Sequence, residues 1–153
     1  MKNFKIVLTV FLSTSLMFIA FGQTKTDVQG TKIKPEFLTK ETFKKKVVDY
    51  KSGESNDWKY LGDKPCIIDF YADWCRPCRM LSPIVDEIAT LYKDQIYVYK
   101  IDTQKEQELA ALFGINSIPA ILFVPIGKQP TMVSGYRDKA QLENEIKQYL
   151  LSK

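Results

Sequence analysis

No histidine occurs in the 153 residues, and cysteine occurs only three times, at Cys66, Cys75 and Cys78. A structural zinc centre takes four ligands from cysteine, histidine or carboxylate. Three cysteines without a histidine do not close such a shell within one chain. Haem attachment needs a histidine directly after the second cysteine of a Cys-x-x-Cys pair, and that position is Arg79. Repeats and low-complexity tracts are absent as well, and no unbroken apolar run reaches the roughly 20 residues of a membrane-spanning helix. The charge excess is small: 22 basic against 18 acidic residues, net +4. That is too mild to argue for nucleic acid or an acidic membrane surface as a partner. What is present is a globular composition, 45% hydrophobic and 26% charged, at a length that suits one domain.

The N-terminus stands apart. Lys2 and Lys5 precede an apolar run from Ile6 to Phe21 that Thr9, Ser13, Thr14 and Ser15 interrupt. Ala20-Phe21-Gly22 then sets small residues at the −3 and −1 positions of a cut before Gln23. Residues 1–22 are expected to be a cleaved secretory signal, the competing reading being an uncleaved membrane anchor. No cysteine before Cys66 is available to carry a lipid. The expected location is therefore periplasmic or secreted, where disulfides form and persist. Residues 23–31 read as a polar linker and 32–153 as the folded domain.

Along the domain, Pro35 to Leu38 suits a short strand. Thr39 is a candidate N-cap for a helix through about Tyr50, on the spacing of Phe43, Val47 and Tyr50, with Lys44, Lys45 and Lys46 on its wet face. Lys51 to Lys64 reads as a surface loop whose Trp58 and Tyr60 pack back onto the body. The unbroken apolar stretch CIIDFYA, Cys66 to Ala72, suits a central strand covered on both faces. Met80, Leu81, Ile84, Val85, Ile88 and Leu91 recur at helical spacing, with Pro83 expected to kink the helix. Ile96 to Ile101 and Ala120 to Val124 are further strands. Between them Leu109, Leu112 and Phe113 mark a short helix stopped by Gly114. After a turn at Gly127-Lys128, Thr131 to Ser134 forms a hairpin partner. Asp138 with Gln141 has the form of a capping box, opening a last helix that buries Leu142, Ile146, Tyr149 and Leu150. The order β-α-β-α-β-α-β-β-α predicts an α/β fold with a mixed central sheet and helices on both faces.

The stretch Tyr71 to Met80, YADWCRPCRM, puts the cysteine pair where a strand ends and a helix begins. Residues i and i+3 share one helix face, a separation compatible with a disulfide, whose Cα atoms usually lie about 5–6 Å apart. Cys75 at the helix start meets unpartnered amides and the positive end of the dipole, both of which favour thiolate. Pro77 suits the first turn, where a missing N–H costs little. Cys78 is expected deeper and more buried. One sulfur is thus set to attack and the other to resolve. A purely structural staple across so short a loop would constrain the unfolded chain little.

DFYADWCRPCRMLSPIVDEIA, followed by VYKID, FGINSIPAILF and SGY, resembles the thioredoxin family from about Phe37 to the C-terminus. With the N-terminal signal and the loop near Trp58, the likeness is greatest to the periplasmic thioredoxins of bacteria. The resemblance implies a redox disulfide between Cys75, the attacking thiolate, and Cys78, the resolving thiol. It makes Asp69 a buried acid whose pKa desolvation should raise, able to take the Cys78 proton, with Lys100 nearby. It makes Pro119 a cis-proline that faces the disulfide and docks substrate backbone. Trp74 and the loops at Ile118 and Gly135 line the groove beside Arg76 and Pro77.

Three departures stand out. Arg76 occupies a position usually held by glycine. An exposed cation there would stabilise the thiolate by about 0.5–1 kcal/mol, bias which substrates dock, or be merely solvated. Ala120 replaces the usual threonine after the proline. Cys66 is extra and reads as a buried small hydrophobe, about 15–25 Å from the pair at a strand's rise per residue, the alternative being a mixed disulfide or dimer through it. The implied activity is reduction of protein disulfides by a monomer without cofactor or metal, recharged by a membrane-bound thiol donor. An oxidant or isomerase on the same fold is the alternative, against which stand Pro77 and the lack of histidine within the pair. A non-enzymatic docking module is a further alternative, which the intact pair with Asp69 disfavours.

Overall fold

The computed structural model describes residues 32–48 and 58–152; the expected signal segment and linker, Tyr50 and residues 51–57 of the loop lie outside them. The elements run β1 (Glu36–Phe37), α1 (Lys40–Lys46), β2 (Cys66–Tyr71), α2 (Arg76–Leu91), β3 (Tyr97–Asp102), α3 (Gln107–Leu112), β4 (Ala120–Val124), β5 (Thr131–Ser134) and α4 (Lys139–Ile146), closed by a π turn over Lys147–Leu151. The five strands form one sheet in the order β1-β3-β2-β4-β5. β3 runs parallel to β1 and β2, while β4 runs antiparallel to β2 and β5. This is the mixed sheet expected from the element order.

Alternation along the strands sorts the core into two layers. Cys66, Ile68 and Phe70 of β2 face α1 and α3, joining Phe43, Tyr99, Ile101, Leu109 and Leu122. Ile67 faces the other way, with Val98, Ile121 and Phe123, beneath Leu81, Val85 and Ile88 of α2 and Leu142 and Ile146 of α4. β2 is covered on both faces, and its first five residues are buried, which explains its nearly unbroken apolar sequence. Trp58 and Tyr60 pack against the first layer, as expected of the loop's aromatics.

Local signals set most boundaries. Thr39 caps α1 and forms a reciprocal box with Thr42. Asp138 does the same for α4 with Gln141. Gly114 stands at φ +60°, the left-handed region that ends α3. Pro83 lies inside α2 without ending it.

Two expected ends are corrected. α1 stops at Lys46 rather than near Tyr50. The carbonyl of Val47 accepts the N–H of Leu61 (2.9 Å), so an incoming loop takes the place of a further helical turn. The last helix changes at Lys147 into the π turn. Tyr149, Leu150 and Leu151, three consecutive residues, all lie partly buried against the α2/α4 layer. Among the described residues no helix is long and apolar enough to cross a membrane.

Candidate active site

Beyond the end of β2 the chain turns at Asp73-Trp74, the Cys75 N–H donating to the carbonyl of Ala72 (3.1 Å). Cys75 is the N-cap of α2, and its Sγ accepts the N–H of Cys78 at 3.2 Å. The two sulfurs are bonded, with Cα atoms 5.3 Å apart. Pro77 sits in the first turn, where its missing donor leaves no helical bond unmade. The first turn thus sets the Cys78 N–H and the positive end of the helix against the Cys75 sulfur.

Cys78 was expected to be deeper than Cys75. In the disulfide the two are alike, 3% exposed for Cys75 and 2% for Cys78. Ala72 belongs to the same buried cluster, and Tyr71 and Ile118 pack against it. The Ile118–Pro119 bond is cis, and the Ile118 carbonyl lies 3.8 Å from the Cys75 Sγ. The Pro119 carbonyl accepts the N–H of Gly135 at 2.7 Å. Gly135 stands at φ +99°, where a side chain would be strained. This bond ties the end of β5 to the start of β4, so Gly135 meets Pro119, next in the chain to the Ile118 that packs on the cysteine pair.

The rim is apolar and cationic. Trp74 is 67% exposed, and Arg76 and Pro77 are exposed too. Arg79 donates to the Asp73 carbonyl (2.9 Å). Met80 and Leu91, placed on the inner face of α2 by their spacing, are exposed instead. The inner stripe is Cys78, Leu81, Val85, Ile88 and Ala89. Ala120 is buried at the start of β4, opposite Phe70 of β2.

Asp69 lies in the middle of β2. Alternation puts it with Ile67 on the α2 side. It is fully buried, and neither carboxylate oxygen has a hydrogen-bond partner among the described residues. Burial pushes its carboxyl up to about 6, outweighing the pull of the Lys100 ammonium. Lys100 is opposite it in register on β3, with Nζ 3.7 Å from Asp69 Oδ2. That ammonium also lies 4.7 Å from the Tyr71 ring centroid and donates to Ser82 Oγ at 2.8 Å. Ser82 stands four residues beyond Cys78, on the same helix face. The sheet acid and the helix face that carries Cys78 are therefore bridged by one lysine. Sequence reasoning missed Ser82, because a serine in an amphipathic helix carries no signal until its partner from β3 is known.

Cys66 is the remaining thiol, free and fully buried at the start of β2, the end remote from the pair. Burial pushes it up to about 12, and the neighbouring Tyr60 hydroxyl offsets part of this.

A family model described as Thioredoxin matches residues 34–148. A thioredoxin of Borreliella burgdorferi is 45% identical over 112 residues, covering 73% of this chain and 94% of that protein. Thioredoxin 1 of a Nostoc species is 36% identical over 113 residues, covering 74% and 94% respectively. Among solved structures, chloroplastic thioredoxin z superposes with a TM-score of 0.63 at 25% identity, over 76% of this chain and 95% of that one. The sheet order, the bonded Cys-x-x-Cys pair at a helix N-terminus and these likenesses agree: the chain belongs to the thioredoxin family and is a thiol–disulfide oxidoreductase built on Cys75 and Cys78.

Proposed function

We propose that the protein works in the reductive direction, on disulfides of other proteins. The Cys75 thiolate attacks one sulfur of the substrate disulfide. A Cys75–substrate bond forms, and the substrate's second sulfur leaves as thiolate and takes up a proton. Cys78 then gives its proton to Asp69 and attacks the Cys75 sulfur. The mixed disulfide breaks, the Cys75–Cys78 bond forms, and the substrate leaves with two electrons gained. Lys100 acts as a positioning residue for Asp69. Trp74, Arg76, Pro77, Ile118, Pro119 and Gly135 form the surface on which the substrate segment lies.

The observation that carries this reading is Asp69, a fully buried carboxylate without a hydrogen-bond partner among the described residues and with a raised proton affinity. Such a group is costly to keep unless it has work to do. A base poised near neutrality suits the deprotonation of a resolving thiol.

The setting is periplasmic or secreted, on the strength of Lys2, Lys5, the apolar run to Phe21 and the small residues Ala20 and Gly22. A reductant in oxidising surroundings is exhausted without resupply, so the proposal includes a membrane-bound thiol donor that recharges a monomer. The test is insulin reduction with dithiothreitol, together with the equilibrium potential of the pair against glutathione. Reduction well above the dithiothreitol background, at a potential below that of glutathione, is expected. A rate equal to background removes the reductive reading, and a potential well above glutathione's favours an oxidant.

A further inference from the structure

Lys100 and Asp69 are directly opposed in register on adjacent strands, a placement that brings opposite charges within interaction range. They do not meet in a hydrogen bond here. The ammonium is 2.8 Å from Ser82 Oγ and 3.7 Å from Asp69 Oδ2, beyond hydrogen-bond length. We propose that Ser82 is a positioning residue: its hydroxyl draws the Lys100 ammonium across to α2 and out of hydrogen-bond reach of Asp69, leaving that carboxylate free to take the Cys78 proton. The inference rests on the reading of Asp69 as proton acceptor and adds the residue that sets its readiness.

The chemistry follows from what surrounds the two charges. A lysine ammonium has three donors and no acceptor, and Lys100 is almost fully buried. Its neighbours are the Ser82 hydroxyl, Asp69 and the rings of Tyr71 and Phe37. The rings attract the cation but accept no ordinary hydrogen bond. Without the serine hydroxyl, the ammonium keeps Asp69 Oδ2, at 3.7 Å, as its ion-pair partner among the described residues. A direct hydrogen bond from a cation favours the charged carboxylate and weakens its hold on a proton.

Three strands and α2 border Asp69. β3 contributes Lys100. β4 contributes Ile121, which is uncharged. β2 itself contributes Tyr71, whose phenol burial and nearby acids keep neutral. α2 contributes Ser82 and the face that holds Cys78. Among the described residues Lys100 is the charge that acts on Asp69, so its position is the lever.

The experiment follows the Asp69 carboxyl carbon by NMR through a pH titration of the oxidised full-length chain, where no thiol of the pair titrates. Ser82→Ala is expected to lower the Asp69 midpoint by on the order of one pH unit, as the ammonium closes on the carboxylate. Ser82→Thr keeps a hydroxyl and is expected to restore the wild-type midpoint. Lys100→Met is expected to raise it. A merely structural serine would alter thermal stability and leave the midpoint in place. A Ser82→Ala midpoint that is unchanged or raised overturns the proposal, as does a Lys100→Met midpoint that does not move. Either result beside intact insulin reduction strikes Ser82 alone, whereas loss of wild-type reduction strikes the underlying reading.

Discussion

The two ends of β2 each carry buried sulfur. At one end Cys66 is 0% exposed; beyond the other, Cys75 and Cys78 are 3% and 2% exposed. By burial the three are nearly the same residue. What separates them is the polarity of the surroundings. Cys66 sits in an apolar layer with Ile68, Leu122 and Val124, and desolvation holds its proton on. Cys75 sits at the N-terminus of a helix whose amide at Cys78 points to its sulfur, an arrangement that favours thiolate. Depth alone does not decide whether a thiol reacts. Fixed dipoles at the same depth do.

The sharpest way to break this contrast is to measure reactivity in the reduced protein. With its pKa pushed up to about 12, Cys66 is thiolate at neutral pH in only about one molecule in 10⁵, against about one in 30 for a free cysteine thiol. Iodoacetamide pulses at pH 7, read by peptide mass spectrometry, are expected to show Cys75 modified at least about 10³-fold faster than Cys66. Equal rates would mean that the helix terminus adds nothing to what burial removes.

Asp69 tests the same idea with a carboxylate, because here no dipole relieves the burial. Its folded pKa of about 6 lies above the ordinary 3.8. The folded protein therefore binds the proton more tightly than the unfolded chain does. The stabilising contribution is complete below about pH 4 and is lost as pH rises towards 6, at a cost at pH 7 of about 3 kcal/mol. Asp69→Asn resembles the protonated acid at every pH. Its oxidised form is expected to be more stable than wild type by about that amount at pH 7 and equally stable near pH 4, by urea denaturation across the range. A constant difference between the two proteins from pH 4 to 7 would show that burial does not raise the proton affinity of Asp69.

A smaller effect tests the quiet end of the strand. Cys66→Ala removes one buried atom and is expected to cost about 1 kcal/mol in urea denaturation, with the Cys75–Cys78 potential unchanged. A shift of that potential would couple the two ends of β2 and undo the separation drawn between them.

Where an element's cause is local, the sequence displayed it. The Asp138–Gln141 box is side-chain chemistry within one turn, and CIIDFYA reads as central because both its faces are covered. Asp69 was legible as a buried acid through the resemblance to the thioredoxin family, and the apolar run around it accounts for its desolvation. Causes that arrive from elsewhere in the chain were not legible. α1 ends where it does because Leu61 claims the carbonyl of Val47. The two sulfurs are equally deep because the Ile118 loop, some 40 residues on, covers them. Ser82 matters only through Lys100 of β3. Arg76 was legible as a departure, but its weight depends on what pairs with it.

That weight supplies the finest test of the comparison. Arg76 is the first residue of α2, exposed, and without a hydrogen-bond or ion-pair partner among the described residues. If fixed dipoles of the helix set the state of the Cys75 sulfur, a solvated cation beside it adds little. A surface charge of this kind contributes about 0.5–1 kcal/mol to the thiolate, which for a two-electron couple is about 10–20 mV. Arg76→Gln keeps the helix propensity and side-chain length while removing the charge. Its potential against glutathione at low salt is expected to be more reducing than wild type by that small margin. In 1 M salt, where the screening length falls to about 3 Å, the two are expected to converge. A shift several times larger, or one that survives high salt, would mean that Arg76 rather than the helix terminus governs the sulfur.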